Sequence, residues 1–390
     1  MSDDRALSAE LEVGRINAFF PILPRLGNRW AATRPWEGRR IALNLHITTL
    51  TACLMRELTL GGGSFVLSAA NPRTTDPGSV ELIRNLGCDV YTGGDLEDRH
   101  LQVLGHKPDL IVDVGFELIE ALLERRRDLV PAVRAGVEIT SSGATRMRAR
   151  GSVPFPVVNI NAGRLKDQVE NRHGVGEAIW QAVQLTTGMH LAGRRVAIVG
   201  YGPVGRGLAT YARAAGMAVE VCEEDPVRRL FAHYDGYPTP TLEEAITRVG
   251  LLVTATGRQD AITVDTLRSA RDGLVLVNAG HGGNEIDVEG IRRAAHRRDH
   301  VSDNVARYQF RSEDSGEERY INVLGDGHPL NIVLNSGSPE PVLLHFAVLG
   351  LTLEWLASNP ALRPGELQVT EEVENRAALL ALEALQSFGG

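Results

Sequence analysis

The chain has 390 residues, 43% of them hydrophobic and 23% charged, a composition typical of a globular protein with two domains. Its net charge of −8 argues against a nucleic-acid partner, because a phosphate backbone needs a basic surface. The N-terminus is acidic, no apolar run reaches about 18 residues, and the cysteines lack metal-ligand spacing, so we expect a cytoplasmic protein without a signal peptide, membrane span or metal site.

The first predicted region covers roughly residues 40 to 140, where short apolar strands alternate with helical stretches. Its strands are predicted at "SFVLSA" (64–69), "CDVYT" (88–92) and "DLIVDVG" (109–115). Its helices are predicted at "HITTLTACLMRELTL" and "DPGSVELIRNLG". This alternation predicts a parallel sheet that is covered by helices.

A long helix is predicted at "GVGEAIWQAVQLTTGMHLAG" (174–193), and a second α/β region follows it. The strands of this region are predicted at "RRVAIV" (194–199), "MAVEVCE" (217–223), "GLLVTAT" (250–256), "GLVLVN" (273–278) and "LNIVL" (330–334). A turn and a helix are predicted between the first two strands, at "GPVGRGLATYARAAG" (202–216). The pattern is that of a doubly wound sheet.

After residue 335 the sequence turns helical again, at "EPVLLHFAVLGLTLEWLASNP" and "EEVENRAALLALEALQSFG". The most economical arrangement returns these helices to the first region. We therefore predict an α/β fold with two doubly wound parallel-sheet domains, the second of which is a Rossmann domain inserted into the first. The predicted segments are a substrate domain over residues 1–185, an NAD-binding domain over residues 186–336, and C-terminal helices over residues 337–390.

A dinucleotide-binding pattern, GxGxxG, occurs in "VAIVGYGPVGRG", with a predicted strand before it and a predicted helix after it. In such a loop the glycines allow a tight turn, close approach of the pyrophosphate, and close packing of helix on strand. Glu223, at the end of the next strand, can accept hydrogen bonds from a ribose and would repel a 2′-phosphate, which favours NAD over NADP. The predicted loop residues are Gly200, Gly202, Pro203, Val204 and Gly205.

The stretch "LVLVNAGHGGNEIDV" places His281 on a glycine-rich loop directly after a predicted buried strand. Loops at the carboxyl ends of parallel strands line the ligand crevice of doubly wound folds. The position therefore predicts that His281 contributes to a binding or catalytic site.

Several motifs together resemble the S-adenosyl-L-homocysteine hydrolase family over about residues 40 to 345. "VAIVGYGPVGRG" resembles the cofactor loop of that family, "EEDPVRRL" its ribose-binding strand end, and "LVTATG" and "NAGHGGNEIDV" its later strand ends. "EITSSGATRM" is similar to its nicotinamide segment. "VVNINAGRLKDQVENRHGVGEAIW" is similar to the stretch with its catalytic lysine, and "LHITTLTACLMREL" to its histidine-bearing substrate helix.

The resemblance implies a reaction and a substrate class. Members of the family oxidise the ribose 3′-hydroxyl of a nucleoside substrate with tightly held NAD. The resulting ketone acidifies the 4′ hydrogen, the 5′ thiol is eliminated, water adds, and the ketone is reduced back. For this chain the resemblance implies a small nucleoside-like substrate, NAD as the cofactor, and a homo-oligomer, either a dimer or a tetramer.

The resemblance also implies roles for individual residues. Lys166 matches a lysine that assists removal of the 3′-hydroxyl proton, because an ammonium group stabilises a developing alkoxide. Glu170 stands where the family has aspartate, on the same helix face as Lys166 if the segment is helical. The residues implied in catalysis are Lys166, Glu170, His46, His281, Asn171 and Asp113. Those implied at the substrate are His46, Thr48, Lys166, Glu170 and His281. Those implied at the cofactor, beyond the glycine loop, are Glu223, Arg228, Thr140, Ser141, Ser142, Asn171, Thr254, Thr256, Gly280, His281 and Asn331.

The departures from the family lie on the substrate side and at the C-terminus. Val114 and Ile139 stand where the family has two carboxylates, and Leu50 stands where a polar residue meets the adenine. The family also has a Lys/Tyr tail that reaches into a neighbouring protomer, whereas this chain ends at "LQSFGG". We therefore expect a pocket rebuilt for a different substrate, and a cofactor that is lost more easily.

Three functions remain open at this point. The first is an NAD-dependent enzyme that oxidises a nucleoside-like substrate at the 3′ position and then stops, epimerises, or eliminates a 5′ group. The second is a true S-adenosyl-L-homocysteine hydrolase with an altered pocket. The third is a non-catalytic NAD-binding regulator, which would have no need of Lys166, His46 and His281.

Overall fold

The computed structural model of the chain describes residues 2–280, 284–311 and 318–389. The predicted site residue His281 lies outside these residues. The chain divides into a first unit, Met1–Glu170 with Pro339–Gly390, and a second unit, Asn171–Ser338.

The helices, in chain order, are α1 (Ser2–Phe19), α2 (Ile22–Thr33), α3 (Thr49–Leu58), α4 (Pro77–Asn85), α5 (Leu96–Gly105), α6 (Glu117–Arg125), α7 (Ser141–Arg150), α8 (Gly176–Thr187), α9 (Pro203–Ala214), α10 (Pro226–Tyr234), α11 (Leu242–Ile246), α12 (Val288–Ala294), α13 (Leu330–Val333), α14 (Glu340–Ser358) and α15 (Glu371–Gly389). The strands are β1 (Arg40–Leu45), β2 (Ser64–Ala69), β3 (Asp89–Tyr91), β4 (Leu110–Asp113), β5 (Ala135–Glu138), β6 (Pro156–Asn159), β7 (Arg195–Val199), β8 (Ala218–Cys222), β9 (Leu251–Thr254), β10 (Leu274–Asn278), β11 (Arg297–Ser302), β12 (Val305–Arg311), β13 (Glu318–Leu324) and β14 (Gly365–Gln368). A π-helical segment, Lys166–Val175, leads directly into α8.

The first unit is built on a seven-stranded sheet in the order β14-β6-β5-β4-β1-β2-β3, with every pair parallel. The strand order reverses between β1 and β4, which is the pattern of a doubly wound sheet. Its central strands are buried and rich in aliphatic residues, because helices cover both faces of such a sheet. The predicted parallel sheet is confirmed here, and its last strand comes from the C-terminal part of the chain.

The second unit has a sheet in the order β11-β12-β13-β10-β9-β7-β8. The five strands from β13 to β8 are parallel, whereas β11 and β12 pair antiparallel at one edge. The order reverses between β7 and β9, as expected for a Rossmann-type domain. The predicted α/β class is confirmed, with an antiparallel extension that the sequence analysis did not include.

The predicted boundary after residue 185 differs from the division after Glu170. Helix α8 groups with the second unit because Gly176 packs directly on Gly207 of α9, where a side-chain carbon on Gly176 would overlap backbone atoms. A long helical pattern alone does not reveal which sheet the helix packs on.

Seven of the predicted strands are present, but the strand predicted at "LNIVL" (330–334) is wrong. These residues form the short helix α13, which begins directly after Pro329. A brief apolar run does not distinguish a buried strand from a buried helix turn. On the side away from β9, the strand that pairs with β10 is β13, which was not predicted from the sequence.

Helix α14 is long and apolar enough to cross a membrane by length and composition, although the sequence analysis found no apolar run of that length. Among the described residues, it is the one helix of this kind. Leu343, Leu349 and Leu353 on this helix are fully buried in the first unit. The helix therefore forms part of the core of that unit.

Candidate functional site

The carboxyl ends of the central strands of the first unit carry several predicted site residues. His46 directly follows β1, Asp113 ends β4, and Glu138 ends the adjacent β5, in register with Asp113. Ligands of doubly wound sheets bind at this edge, where the strand order reverses. The structure therefore brings His46 and Asp113 to the expected edge of one sheet.

Asp113 is fully buried and anchored through both carboxylate oxygens. The side-chain amide of Asn44 donates to Oδ1 at 3.1 Å, and the backbone N–H of Ile119 donates to Oδ2 at 2.8 Å. Ser68 in turn donates to Asn44 at 3.0 Å. Burial raises the pKa of Asp113 to about 6. These contacts give Asp113 a structural role at the strand end, and its predicted catalytic role stays a prediction.

Glu138 holds together the two loops that follow β4 and β5. It accepts hydrogen bonds from the backbone N–H and the hydroxyl of Thr140, each at 2.7 Å, and from the backbone N–H of Phe116 at 2.8 Å. Burial, and then the charge of Asp113, raise the pKa of Glu138 to about 8. Thr140 also caps α7 by accepting from the N–H of Gly143 at 3.0 Å.

The predicted cofactor residues Thr140, Ser141 and Ser142 belong to the first unit, at the start of α7. The hydroxyl of Thr140 is occupied by the protein itself. Ser141 is exposed and Ser142 is half-buried. Contact of all three with the cofactor stays a prediction.

We expect the buried Asp113 carboxyl to make stability depend on pH. Its folded-state pKa of about 6 lies above the ordinary value of 3.8. Its contribution to stability is therefore complete below about pH 4 and is lost as the pH rises through about 6. Between about pH 4 and pH 7, the free energy of unfolding of the wild type should fall by roughly 1–3 kcal/mol relative to that of Asp113→Asn. Urea unfolding across this range measures the difference, and a pH-independent difference would contradict the expectation.

Apolar side chains follow the anchored carboxyls at the same edge. Val114 and Ile139 come directly after β4 and β5 and are 5% and 6% exposed. Both belong to the apolar cluster that contains Leu45, and half-buried Leu50 packs against it. Val114, Ile139 and Leu50, three of the positions at which the sequence departs from the family, are thus apolar positions packed on one core.

His46 and Thr48 occupy the turn between β1 and α3. The ring nitrogen Nδ1 of His46 lies 2.7 Å from the hydroxyl oxygen of Thr74. Thr48 is the N-cap residue of α3, and its side chain makes no capping hydrogen bond. Both residues are half-buried, so each retains a surface that a ligand can reach.

Lys166 and Glu170 form a nearly buried ion pair in the π-helical segment. Lys166 Nζ donates to Glu170 Oε1 at 2.5 Å, and the two side chains are 11% and 12% exposed. Burial raises the pKa of Glu170, and the Lys166 charge opposes this shift. The other carboxylate oxygen, Oε2, lies 3.6 Å from Nδ1 of His345 on α14. Asn171, the first residue of the second unit, follows directly and is half-buried.

The glycine loop of the second unit has the backbone that dinucleotide binding requires. Gly200 has a φ of +98°, and a side-chain carbon there would press on the carbonyl of Ala255. A side-chain carbon on Gly205 would overlap the carbonyl oxygen of Gly200. A side-chain carbon on Gly202, at the N-terminus of α9, would make only an ordinary contact, and no side chain caps this helix end. Such an uncapped helix end binds the phosphates of a nucleotide well.

Glu223 is fixed beside this loop in an orientation that suits a ribose. Its carboxylate accepts from the backbone N–H of Tyr201 at 2.6 Å and from that of Asp225 at 3.0 Å. Arg228 lies exposed on α10, and its guanidinium is 3.8 Å from the point where a side chain on Gly202 would begin. The structure therefore brings Glu223 and Arg228 to the predicted loop.

The ends of β9 and β10 are joined by a buried carboxylate, Glu285. It accepts from the backbone N–H and the hydroxyl of Thr256, each at 2.9 Å, and from the N–H of Gly257 at 2.9 Å. Asn278 links the same strand ends, since its Oδ1 accepts from Thr254 at 3.2 Å and from the N–H of Gly280 at 2.7 Å. Thr254, Thr256 and Gly280 thus shape the carboxyl edge of this sheet.

Asn331 offers a free acceptor in the second unit. Its side-chain oxygen Oδ1 is buried and has no hydrogen-bond partner among the residues that the structure describes. A buried oxygen without a partner costs free energy unless a ligand or water satisfies it. This oxygen, the open helix N-terminus and the oriented Glu223 together fit NAD.

A matched pair of glycine substitutions separates folding from cofactor binding. Gly205→Ala should lower the free energy of unfolding by roughly 1–3 kcal/mol, because the added methyl overlaps backbone. Gly202→Ala should fold normally, since the φ of Gly202 is −74° and the added methyl carbon would lie 3.8 Å from the nearest atom, in the Arg228 guanidinium. It should nevertheless bind NAD more weakly, because the pyrophosphate approaches the backbone at this position. Thermal unfolding with and without NAD distinguishes the two effects. Unchanged NAD affinity in Gly202→Ala would contradict this account of the loop.

Two residues of these sites were not predicted from the sequence. Glu285 lies within the quoted stretch "NAGHGGNEIDV", but its role in holding the preceding strand end depends on contacts across the sheet. His345 stands alone in the apolar run "VLLHFAV", where a single polar residue was the available signal.

Known proteins that resemble this chain match it over both units. The family model for the NAD-binding domain of S-adenosyl-L-homocysteine hydrolase matches residues 171–337. An S-inosyl-L-homocysteine hydrolase of Methanosarcina mazei is 32% identical over 375 residues, which cover 94% of this chain and 90% of that protein. An adenosylhomocysteinase of Thermococcus kodakarensis is 30% identical over 390 residues, which cover 97% of this chain and 91% of that protein.

Among solved structures, a dipicolinate synthase component of Bacillus halodurans has a similar fold, with a TM-score of 0.51 and 13% identity. The match covers 83% of this chain and 99% of that chain. At this level of identity the likeness shows the two-domain α/β fold alone.

Proposed function

Because the chain belongs to the S-adenosyl-L-homocysteine hydrolase family, we propose that it is an NAD-dependent enzyme that oxidises the 3′-hydroxyl of a nucleoside substrate to a ketone. Elimination or addition at the 5′ carbon, or epimerisation, then follows from the acidity of the 4′ hydrogen. The observation that carries the proposal is the nearly buried Lys166–Glu170 pair in a chain with a dinucleotide loop. A pair of this kind can hold or accept a proton at a reacting hydroxyl.

The residues of the second unit would hold the cofactor. The backbone at Gly202 and the N-terminus of α9 would bind the pyrophosphate, Glu223 the adenosine ribose, and Asn331 the carboxamide. NAD, when bound, supplies the acceptor for the hydride that leaves the oxidised carbon.

The first unit would supply the acid–base groups. The Lys166 ammonium would bind the 3′ oxygen and stabilise the alkoxide as it forms, and the proton of the 3′-hydroxyl would pass through Lys166 to the carboxylate of Glu170. His46, whose Nδ1 is positioned by Thr74, would act toward the 5′ side of the sugar. These roles agree with the chemistry of the side chains and with their positions after β6 and β1.

The substrate class follows from the relatives together with the apolar positions. The relatives are named as hydrolases of S-inosyl-L-homocysteine and as adenosylhomocysteinases. In this chain Leu50, Val114 and Ile139 cannot hydrogen-bond a base or a sugar hydroxyl through their side chains. We therefore favour a nucleoside that differs from S-adenosyl-L-homocysteine in its base or its 5′ substituent.

A substrate panel tests the proposed function. NAD-loaded protein would be mixed with S-inosyl- and S-adenosyl-L-homocysteine, with the corresponding free nucleosides, and with their 2′- and 3′-deoxy forms. We expect NADH absorbance with at least one nucleoside that has a 3′-hydroxyl, and none with its 3′-deoxy form. Oxidation of the 3′-deoxy form at an equal rate, or no NADH with any member, would contradict the proposal.

Glu223 should set the preference for NAD. A 2′-phosphate would approach a carboxylate that two backbone N–H groups hold in place, and like charges repel strongly at short range. Glu223→Ala should weaken NAD binding and narrow the difference between NAD and NADP. Calorimetric titration of both cofactors measures this, and equal affinity of the wild type for the two would contradict it.

We further propose that the enzyme is cytoplasmic, as its composition indicates, and that it is a homo-oligomer, as the resemblance implies. Light scattering of the purified full chain tests the oligomer. A monomer at working concentration would contradict it.

A further inference from the structure

The core helix α14 carries a buried histidine, His345, between Leu344 and Phe346. Its side chain is 3% exposed, and neither ring nitrogen has a hydrogen-bond partner among the described residues. A buried polar ring costs free energy unless a nearby group compensates it. Apolar packing alone therefore does not explain why a histidine occupies this position.

The nearest polar group is the second oxygen of the Lys166–Glu170 pair. Glu170 Oε2 is also buried without a hydrogen-bond partner among the described residues, and it lies 3.6 Å from His345 Nδ1. Glu170 Oε1 is taken by Lys166 at 2.5 Å. A movement of a few tenths of an ångström would bring Nδ1 and Oε2 into hydrogen-bond range.

The ring is suited to donate a hydrogen bond. Burial, and then the Lys166 charge, lower the pKa of His345 well below its usual value, so the ring is neutral. The charged groups that act on the ring, within the described part of the chain, are Lys166 and Glu170. A neutral imidazole protonated at Nδ1 is a donor toward a carboxylate.

We propose that His345 is a positioning residue for Lys166, which it controls by donating from Nδ1 to Glu170 Oε2. Held through both oxygens, Glu170 stays a carboxylate and keeps Oε1 on the Lys166 ammonium. The catalytic consequence rests on the proposed function, because Lys166 is there the group that meets the substrate hydroxyl. The contact itself does not depend on it.

Loss of the His345 donor has a defined consequence. Glu170 would have one oxygen buried without a partner, which disfavours its charged form. A protonated Glu170 holds the Lys166 side chain less firmly, because the hydrogen bond between them is no longer one between two charged groups. Lys166 should then react faster with amine reagents and assist catalysis less well.

Two variants of similar shape isolate the hydrogen bond. His345→Asn keeps an N–H near the position of Nδ1, whereas His345→Leu has nearly the same volume and no donor. Reductive methylation of Lys166 in the cofactor-free protein, followed over time by mass spectrometry at one pH, measures how firmly Glu170 holds the Lys166 amine. In His345→Leu the labelling curve of Lys166 should rise faster with time than in the wild type, while the curve of His345→Asn should stay close to the wild type.

Kinetics with NAD and the best nucleoside of the panel give a second reading. In His345→Leu, kcat should fall roughly 10- to 100-fold, the size expected for one hydrogen bond to a charged group, with KM little changed. Equal labelling curves and equal kcat for the two variants would overturn the proposal, because the hydrogen-bond donor would then make no difference. If no nucleoside is oxidised but the labelling curves differ as described, the proposed function fails and the His345 contact stands.

A measurement on the wild type covers the case in which neither variant folds. Nitrogen NMR of histidine-labelled protein reports which ring nitrogen carries the proton. We expect His345 to be protonated at Nδ1 at neutral pH. A ring protonated at Nε2 alone would overturn the proposal, because it has no donor for Glu170.

Discussion

Lys166→Met is expected to lose substrate oxidation while its affinity for NAD stays unchanged. Methionine has a similar length but cannot bind or accept a proton at the 3′ oxygen. A positioned acid or base typically contributes about 10²- to 10⁴-fold, so NADH formation should fall by that factor. NAD affinity should be retained, because the glycine loop, Glu223 and Asn331 belong to the second unit. Stopped-flow NADH absorbance and calorimetric titration with NAD provide the two readings.

The loss of a buried charge needs its own control. Lys166→Met leaves Glu170 buried without its partner, and breaking such a pair can cost roughly 3–5 kcal/mol of stability. The double variant Lys166→Met with Glu170→Gln removes both charges and should fold well, yet it should stay inactive. Lys166→Arg keeps the charge but cannot give up its proton near neutral pH. Wild-type NADH formation in Lys166→Met would show that Lys166 has no part in proton removal.

S-Adenosyl-L-homocysteine is expected to be a poor substrate for the full reaction. Val114 and Ile139 are buried at the ends of β4 and β5, and they stand where the resemblance implies carboxylates that act on the sugar. An acid–base group is worth about 10²- to 10⁴-fold in rate, and the separate losses need not add. We therefore expect kcat/KM for homocysteine release to lie at least about 10²-fold below that of an adenosylhomocysteinase measured alongside.

Homocysteine release, detected with a thiol reagent, measures the complete reaction, whereas NADH absorbance measures the oxidation alone. In the proposed mechanism oxidation needs only Lys166, its neighbours and the cofactor, so NADH should still form when thiol release is weak. Thiol release at a rate comparable to that of the adenosylhomocysteinase would mean that Asp113 or Glu138 serves as the missing acid. The chain would then be a true S-adenosyl-L-homocysteine hydrolase.

The fold could largely be predicted from the sequence, because aliphatic strands and glycine turns produce strong local patterns. The strand at 64–69 and the glycine loop were predicted where the structure has them. The antiparallel strands β11 and β12 were missed, since β11 is almost wholly exposed and has no apolar pattern. The "LNIVL" segment was wrong because four apolar residues fit a helix turn as well as a strand.

Site residues could be predicted where a local motif fixes the backbone. They could not be predicted where contacts between residues far apart in sequence determine the site. Glu223 lies one residue past the end of β8, and the glycine loop begins directly after β7. Because β7 and β8 pair in parallel, Glu223 must lie close to the loop. The Lys166–Glu170 pair follows from their spacing. The contact of Glu170 with His345 joins residues far apart in sequence, and the anchoring of Thr256 by Glu285 depends on the pairing of β9 with β10.

The central claim is that this chain removes hydrogen from the 3′ carbon of a nucleoside. The best substrate of the panel, prepared with deuterium at the 3′ carbon, tests it most directly in a single turnover with NAD-loaded protein. We predict that NADH appears more slowly with this substrate than with unlabelled material, and that deuterium at the 2′ carbon leaves the rate unchanged. Equal rates for the 3′-labelled and unlabelled substrates, with no deuterium in the reduced cofactor, would contradict the account.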